Sequence, residues 1–374
     1  MKKSILSILF LITIAFSAAA QDSGINFSEK FKRENQGNYK IEVHEVRELV
    51  MIMIAITDTG LGNDDMVYQE GSYYQDVLAH FKPYENEPII QTFDSLLVSS
   101  IYNYIFLTGN AISYDFEGHH LKKSETYDFP ATGVANVEIT ENPITTYKKQ
   151  LEDFAKKSKF REFYRQHHAF YNAMATEYEE NANLGKQWKW LEENFYTKVN
   201  SYAIYCSSLI GGLNYTTGFE NNNFELIFMS LPAIRHPESA AIPTDVLNTR
   251  IMFTEIDHNY VGTPSDTYED SIDKVFSNRQ EWVNEDTYGT FAYPTPKRVF
   301  NEYMTFGVFL LYCNDQYDGK TFKTATESVI KLMNERGFPK MAEFTEVLFK
   351  IRAANPDKKI DDLYPDFLGL LGAL

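Results

Sequence analysis

Apolar and polar positions in the first third of the chain predict mixed secondary structure. Residues 40–46 alternate in strand fashion, whereas residues 48–56 form a continuous apolar run that fits a buried helix or a buried strand. Residues 73–81 have helical spacing, and residues 136–140 predict a short strand. We therefore expect helices and strands to be interleaved before about residue 140.

The pattern changes to a mainly helical one in the remainder of the chain. Residues 145–210 carry apolar positions at helical spacing, and residues 224–231 read as a strand closed by Pro232. Helical patterns return over residues 247–253 and, most strongly, over 298–313. The expected fold class is α+β, predominantly helical with a small mixed sheet.

The first twenty residues have the features of an export signal. A short basic start precedes an apolar run over residues 5–16, and three alanines ending at Ala20 offer a cleavage site. No later run reaches the roughly 18 apolar residues that a membrane helix needs. We expect a secreted or periplasmic protein, cleaved near Ala20, with no membrane span in the mature chain.

Three segments follow from these patterns. They are a signal peptide over residues 1–20, an N-terminal mixed α/β segment over 21–140, and a larger domain over 141–374. No internal repeat or low-complexity tract interrupts them. The boundary near residue 140 marks the change from mixed to helical patterning.

Composition excludes two classes of partner. The formal net charge is −17, and no basic cluster offsets it. Nucleic acid and anionic membrane surfaces are therefore poor partners for this chain. Cys206 and Cys313 could pair after export or remain buried thiols, and their number and spacing predict no metal site.

One short string carries candidate chemistry. In a His-Glu-x-x-His helix, two histidines on one face ligate zinc while the glutamate polarises the metal-bound water. Residues 254–258 read Thr-Glu-Ile-Asp-His and differ from this template only at the first position. A second single-mismatch string, residues 44–48, shows how readily such strings arise. The first string therefore indicates a metal site only if the surrounding sequence also fits one.

That context includes a candidate third ligand, Glu302. It lies in Asn-Glu-Tyr-Met-Thr-Phe, residues 301–306, which resembles the Asn-Glu-x-x-Ser/Thr-Asp string of gluzincins, the thermolysin-like zinc peptidases. Looser patterns, such as residues 209–212 and 335–338, are similar to an uncharacterised family of secreted bacterial gluzincin-like domains. The resemblance implies a zincin-like fold with a metal-site helix over most of the mature chain.

The resemblance also implies roles for individual residues. Glu255 would be the general base, with His258 and Glu302 as metal ligands and a substrate strand pairing along residues 224–231. Thr254 stands where the first histidine ligand belongs. A neutral hydroxyl is a poor zinc ligand, so tight zinc binding is not expected from these residues alone.

Phe306 adds a second departure, because the acidic residue expected there would hold a ligand imidazole in place. Thr254 and Phe306 together predict an inactive or weakly active metallopeptidase homologue that can still bind a peptide or protein. Two alternatives remain open. One is an extracellular binding protein for a peptide or glycan on the same scaffold. The other is an active peptidase that uses a substitute ligand such as His236.

Overall fold

The computed structural model describes residues 24–134, 137–234, 244–287 and 289–373, apart from the side chains of Thr244, Asp245 and Leu247. The signal peptide predicted for residues 1–20 lies outside this range, and so do Asn136 and His236. Export and cleavage near Ala20 stay predictions.

The chain divides into two compact units. The first comprises Met1–Tyr178 with Val199–Ile234, and the second comprises Glu179–Lys198 with Arg235–Leu374. The boundary predicted near residue 140 falls inside the first unit. The physical reason is strand pairing, because strands after residue 200 join the same sheet as a strand near residue 40.

The first unit contains most of the shorter helices and all the described strands. Its helices are α1 (Glu29–Asn35), α2 (Glu45–Ala55), α3 (Asp58–Leu61), α4 (Ser72–Phe81), α5 (Pro88–Ser99), α6 (Asn103–Asn110), α7 (Pro143–Thr146), α8 (Lys148–Lys157), α9 (Phe160–Gln166) and α10 (His168–Ala182), which continues into the second unit. Its strands are β1 (Asn38–Glu42), β2 (Tyr114–Glu117), β3 (His120–Lys123), β4 (Gly133–Val134), β5 (Val137–Glu138), β6 (Ser201–Ser207), β7 (Tyr215–Asn221) and β8 (Phe224–Pro232).

Helix α2 forms the centre of the first unit. The apolar run that fitted either a helix or a strand is helical, and all residues of α2 except Glu45 are buried. His44 starts the helix by accepting a hydrogen bond from the Arg47 amide. An apolar run without a 3.6-residue period is what a helix surrounded by other elements requires.

A four-stranded mixed sheet completes this unit, in the order β1-β6-β8-β7. The pairs β1–β6 and β6–β8 are parallel, and β7–β8 is antiparallel. The predicted α+β class with a small mixed sheet is confirmed. The helical prediction for residues 145–210 is wrong at its end, because Ser201–Ser207 forms the fully buried strand β6.

Strand β8 is central, which corrects a prediction. Residues 224–231 were expected to pair with a substrate strand, but both edges of β8 are already paired, with β6 and with β7. Its continuous apolar sequence fits this position, because a strand covered on both faces carries no polar alternation. A peptide cannot add to β8 without displacing a neighbouring strand.

The hairpin of β7 and β8 places two carboxylates opposite each other, Glu220 and Glu225. Burial, and then the charge of Glu220, raise the pKa of Glu225 to about 7 from its usual 4.5. The folded chain therefore holds this proton more tightly than the unfolded chain. The resulting contribution to stability is complete below about pH 4.5 and is lost as the pH rises through 7.

Glu225→Gln should consequently raise the free energy of unfolding at pH 8 by roughly 0.5–1 kcal/mol, since it removes a like-charge cross-strand pair. At pH 4 the substitution should have little effect. Urea unfolding followed by circular dichroism at both pH values measures the difference. The control is Glu138→Gln, on the exposed strand β5, which should change stability little at either pH. If Glu225→Gln stabilises the protein as much at pH 4 as at pH 8, the charge repulsion between Glu220 and Glu225 is not the cause.

The described part of the second unit is helical. Its helices are α11 (Leu184–Asn194), α12 (Thr244–Ile256), α13 (His258–Thr267), α14 (Glu269–Val275), α15 (Arg279–Trp282), α16 (Pro296–Gln316), α17 (Gly319–Glu335), α18 (Met341–Ala354) and α19 (Tyr364–Leu371). The helix predicted over residues 298–313 is confirmed as α16. Thr295 caps it by accepting a hydrogen bond from the Arg298 amide, and α12, α13, α14, α17 and α18 pack around it.

Both cysteines are buried free thiols, so the disulfide considered for Cys206 and Cys313 is absent. Burial raises the pKa of Cys206 to about 12 and also raises that of Cys313, which keeps both groups protonated. Among the described residues, no helix is long and apolar enough to span a membrane.

Candidate functional site

The string of residues 254–258 lies at a junction between two helices. Helix α12 ends at Ile256, Asp257 forms a turn, and α13 begins at His258. The Asp257 amide still donates to the Phe253 carbonyl at 2.9 Å, while the Asp257 carbonyl accepts from the Val261 amide at 2.8 Å. The expectation of one continuous metal-site helix is therefore wrong, although Ile251, Met252 and Phe253 before the string are buried.

Thr254, at the position of the missing histidine, is buried and bonded within its own helix. Its hydroxyl donates to the Arg250 carbonyl at 3.0 Å, the usual bond of a threonine inside a helix. The hydroxyl proton is therefore already used.

Glu302, the proposed third ligand, is held by a residue that the sequence did not single out. Glu302 lies in α16 and is 1% exposed. Its Oε1 is 2.6 Å from Nη1 of Arg336, the residue that ends α17. Arg336 also donates to the Tyr293 hydroxyl at 2.9 Å. The Arg336 guanidinium therefore compensates the charge of this carboxylate.

His258 lies between the two helices that carry the string and Glu302. It is half-buried, and its Nδ1 is 3.3 Å from the Thr305 hydroxyl on α16. Loss of hydration lowers the pKa of His258, Arg336 lowers it further, and Glu302 only partly opposes the change. The imidazole is therefore neutral at pH 7 and is oriented by Thr305.

Asp257 joins the same group of side chains, which sequence reasoning missed. Burial, followed by the charges of Glu302 and Glu255, raises the pKa of Asp257 well above its usual value. Neither carboxyl oxygen of Asp257 has a hydrogen-bond partner among the described residues. The three carboxyl groups are thus close enough to interact, so the structure does bring Glu255, His258 and Glu302 into one region of the second unit.

Phe306, the second departure from the gluzincin string, contacts positive charge instead of apolar neighbours alone. The guanidinium carbon of Arg336 lies 5.3 Å from the ring centroid, and that of Arg250 lies 6.0 Å away. A carboxylate at this position would have formed an ion pair with these groups. The phenyl ring offers only the weaker attraction of its π face.

The second string, residues 44–48, has a structural explanation. His44 caps α2, and the buried Glu48 accepts a hydrogen bond from the Tyr73 hydroxyl at 2.6 Å. Burial raises the pKa of Glu48 despite that bond. The string belongs to the core of the first unit.

Zinc does not fit the residues that the structure describes. In that part of the chain, no three or more His, Cys, Asp or Glu side chains are arranged to hold a metal ion. Of the residues considered as substitutes, His236 lies outside the described residues. The hydroxyl of Tyr303, the residue after Glu302, donates to the Trp282 carbonyl at 2.7 Å.

Comparisons with known proteins were made with family models, curated proteins and solved structures. None of the three found a match. The likeness to gluzincins therefore rests on the sequence strings of residues 254–258 and 301–306 alone.

Proposed function

We propose that this protein is an exported gluzincin-like homologue without working peptidase chemistry, in which the inherited site residues form a buried polar core. The observation that carries this proposal is the ion pair between Glu302 and Arg336. In a zinc site, the metal ion would compensate the negative charge of Glu302. Here the Arg336 guanidinium already compensates it.

The energetics of burial support this reading. Removing one partner from a buried ion pair is strongly destabilising, by about 3–5 kcal/mol, because the other charge is left without compensation. Zinc binding at Glu302 would have to displace Arg336 and leave that guanidinium buried. With a threonine in place of the first imidazole, two good ligands cannot offset this penalty.

Two further details favour a structural role for the cluster. Glu255 lies on α12 and His258 on α13, so the turn at Asp257 separates the residue at the general-base position from the residue at the ligand position. The pairing of both edges of β8 removes the strand on which peptide binding had been based. We therefore propose that the protein lacks peptidase activity, and we assign no peptide ligand to the site.

Metal content tests this proposal. The protein purified without chelator should contain far less than one zinc per chain by elemental analysis. Thr254→His alone should raise the zinc content only slightly, because Arg336 still forms its ion pair with Glu302. The double variant Thr254→His with Arg336→Leu should approach one zinc per chain.

The matched control is Thr254→Ala with Arg336→Leu, which shares the broken ion pair but supplies no imidazole. Circular dichroism establishes that each variant is folded before metal is measured. Stoichiometric zinc in the unmodified protein, lost on His258→Ala, would overturn the noncatalytic reading. If neither histidine variant gains zinc while folded, the inherited site is the wrong explanation for the two strings.

A further inference from the structure

Strand β1 forms one edge of the four-stranded sheet. It pairs with β6 on one side, and among the described residues no strand lies on its other side. Two of its carbonyls face β6, because the Asn38 carbonyl accepts from the Ser201 hydroxyl at 2.9 Å and the Glu42 carbonyl accepts from the Cys206 thiol at 3.6 Å. These contacts fix the direction of the backbone groups along the strand.

The backbone groups of Tyr39 and Ile41 point to the open edge. Successive residues of a strand direct their N–H and C=O groups to opposite edges, and Tyr39 and Ile41 alternate with the residues that face β6. In the described part of the chain, neither backbone forms a hydrogen bond with a loop or a side chain. Such an edge is a template for another strand.

The charged side chains of β1 determine which strand can pair with it. Lys40 and Glu42 project from the same face and form an ion pair of 2.7 Å, with 60% and 28% of their side chains exposed. A lysine alone would oppose pairing with a second copy of the chain, because like charges would meet. An edge with one charge of each sign can match itself when the second strand is antiparallel.

The pleat limits the registers of such a pair. A twofold axis perpendicular to the sheet keeps each side chain on its own face, so one residue must lie opposite its own copy. Lys40 or Glu42 at the axis would face a like charge, and Tyr39 at the axis would leave both charges without an opposite one. With Ile41 at the axis, each Lys40 lies opposite Glu42 of the second copy, and the two Ile41 backbones can exchange two hydrogen bonds.

We propose that β1 is a self-association edge, through which two copies of this chain join antiparallel with Ile41 at the twofold axis. The charge complementarity of Lys40 and Glu42 favours a second copy over an unrelated strand. The contact is short, so the dimer is weak, with a dissociation constant of roughly 10–100 µM. This inference does not rest on the proposed function, because no residue of the candidate zinc site takes part.

Charge reversal in two separate variants tests both the dimer and its register. Lys40→Glu makes both charged positions of β1 acidic, and Glu42→Lys makes both basic. Analytical ultracentrifugation of either variant alone should give a dissociation constant at least about tenfold higher than that of the unmodified protein. An equimolar mixture of the two should recover the original dissociation constant, because every glutamate then lies opposite a lysine.

Ile41→Pro tests the hydrogen bonds. Proline removes an N–H that faces outward, so the sheet keeps its bonds to β6 while the dimer loses its central pair, and this variant should be monomeric. The matched controls are Lys30→Glu and Glu34→Lys, which reverse the charges of another exposed pair, 4.0 Å apart on α1. They should leave the dissociation constant unchanged. Circular dichroism establishes that each variant is folded.

Three results would contradict the proposal. The first is a protein that stays monomeric well above the expected dissociation constant, which would leave a strand of another protein as the occupant of this edge. The second is a dimer that neither charge reversal weakens. The third is a mixture of Lys40→Glu and Glu42→Lys that associates no more tightly than each variant alone, because the register with Ile41 at the axis would then be wrong.

Discussion

Arg336→Met should lower the free energy of unfolding by about 3–5 kcal/mol, the largest effect expected from any substitution considered for this protein. Methionine keeps much of the side-chain volume but leaves the Glu302 carboxylate, which is 1% exposed, without its cation. The nearby carboxyl group of Asp257 offers the unpaired Glu302 charge no compensation. Urea unfolding followed by far-ultraviolet circular dichroism measures the loss.

Two controls separate the charge from the volume. Lys331→Met removes the surface pair with Glu335, which is 3.9 Å long and largely solvated, and should change stability by less than about 0.5 kcal/mol. Glu302→Gln combined with Arg336→Met should recover a good part of the loss, because no unpaired charge then remains. A loss below about 1 kcal/mol for Arg336→Met alone would show that the pair does not hold the core together.

Gly211→Ala should be the second most damaging substitution, with a loss of about 3 kcal/mol or more at the upper end of what overpacking produces. A methyl group at Gly211 would lie 2.4 Å from each of the carbonyl oxygens of Asp64 and Asp65. These are backbone atoms, so no side-chain rotation can relieve the contact. The Asp65 carbonyl also accepts the Gly212 amide at 2.7 Å, which fixes the two segments against each other.

Gly218→Ala is the matched control in the same unit. A methyl group there would meet Ile227 at 3.5 Å and Glu225 at 3.7 Å, which are ordinary contacts. Its unfolding curve should stay within about 1 kcal/mol of that of the unmodified protein. If Gly211→Ala behaves like Gly218→Ala, the two segments are not held as closely as the structure shows.

Local pattern predicted much of the secondary structure, because the spacing of apolar residues within an element shows which of its faces is buried. The spacing of residues 298–313 gave α16, and residues 73–81 gave α4. The run over residues 48–56 could not be decided, since an element buried on all sides shows no period. Residues 201–207 were misassigned for a related reason, because every residue of β6 is buried.

Partners distant in sequence could not be predicted. The strand over residues 224–231 was recognised, but whether it lay at an edge depended on β6 and β7. Glu302 was recognised as a site residue, but its counter-ion Arg336 comes from the end of another helix. The turn at Asp257 was also missed, because nothing in Thr-Glu-Ile-Asp-His breaks a helix.

The second unit is not encoded by one continuous stretch of chain. Its helix α11 is made before strands β6 to β8 of the first unit, yet Trp190 of α11 packs against Phe253 and Tyr312 and donates to Asp315. During synthesis, the contacts of Trp190 cannot form until α12 and α16 have been synthesised. A fragment starting at residue 235 would lack it, so the folding unit is larger than the segment that carries the site.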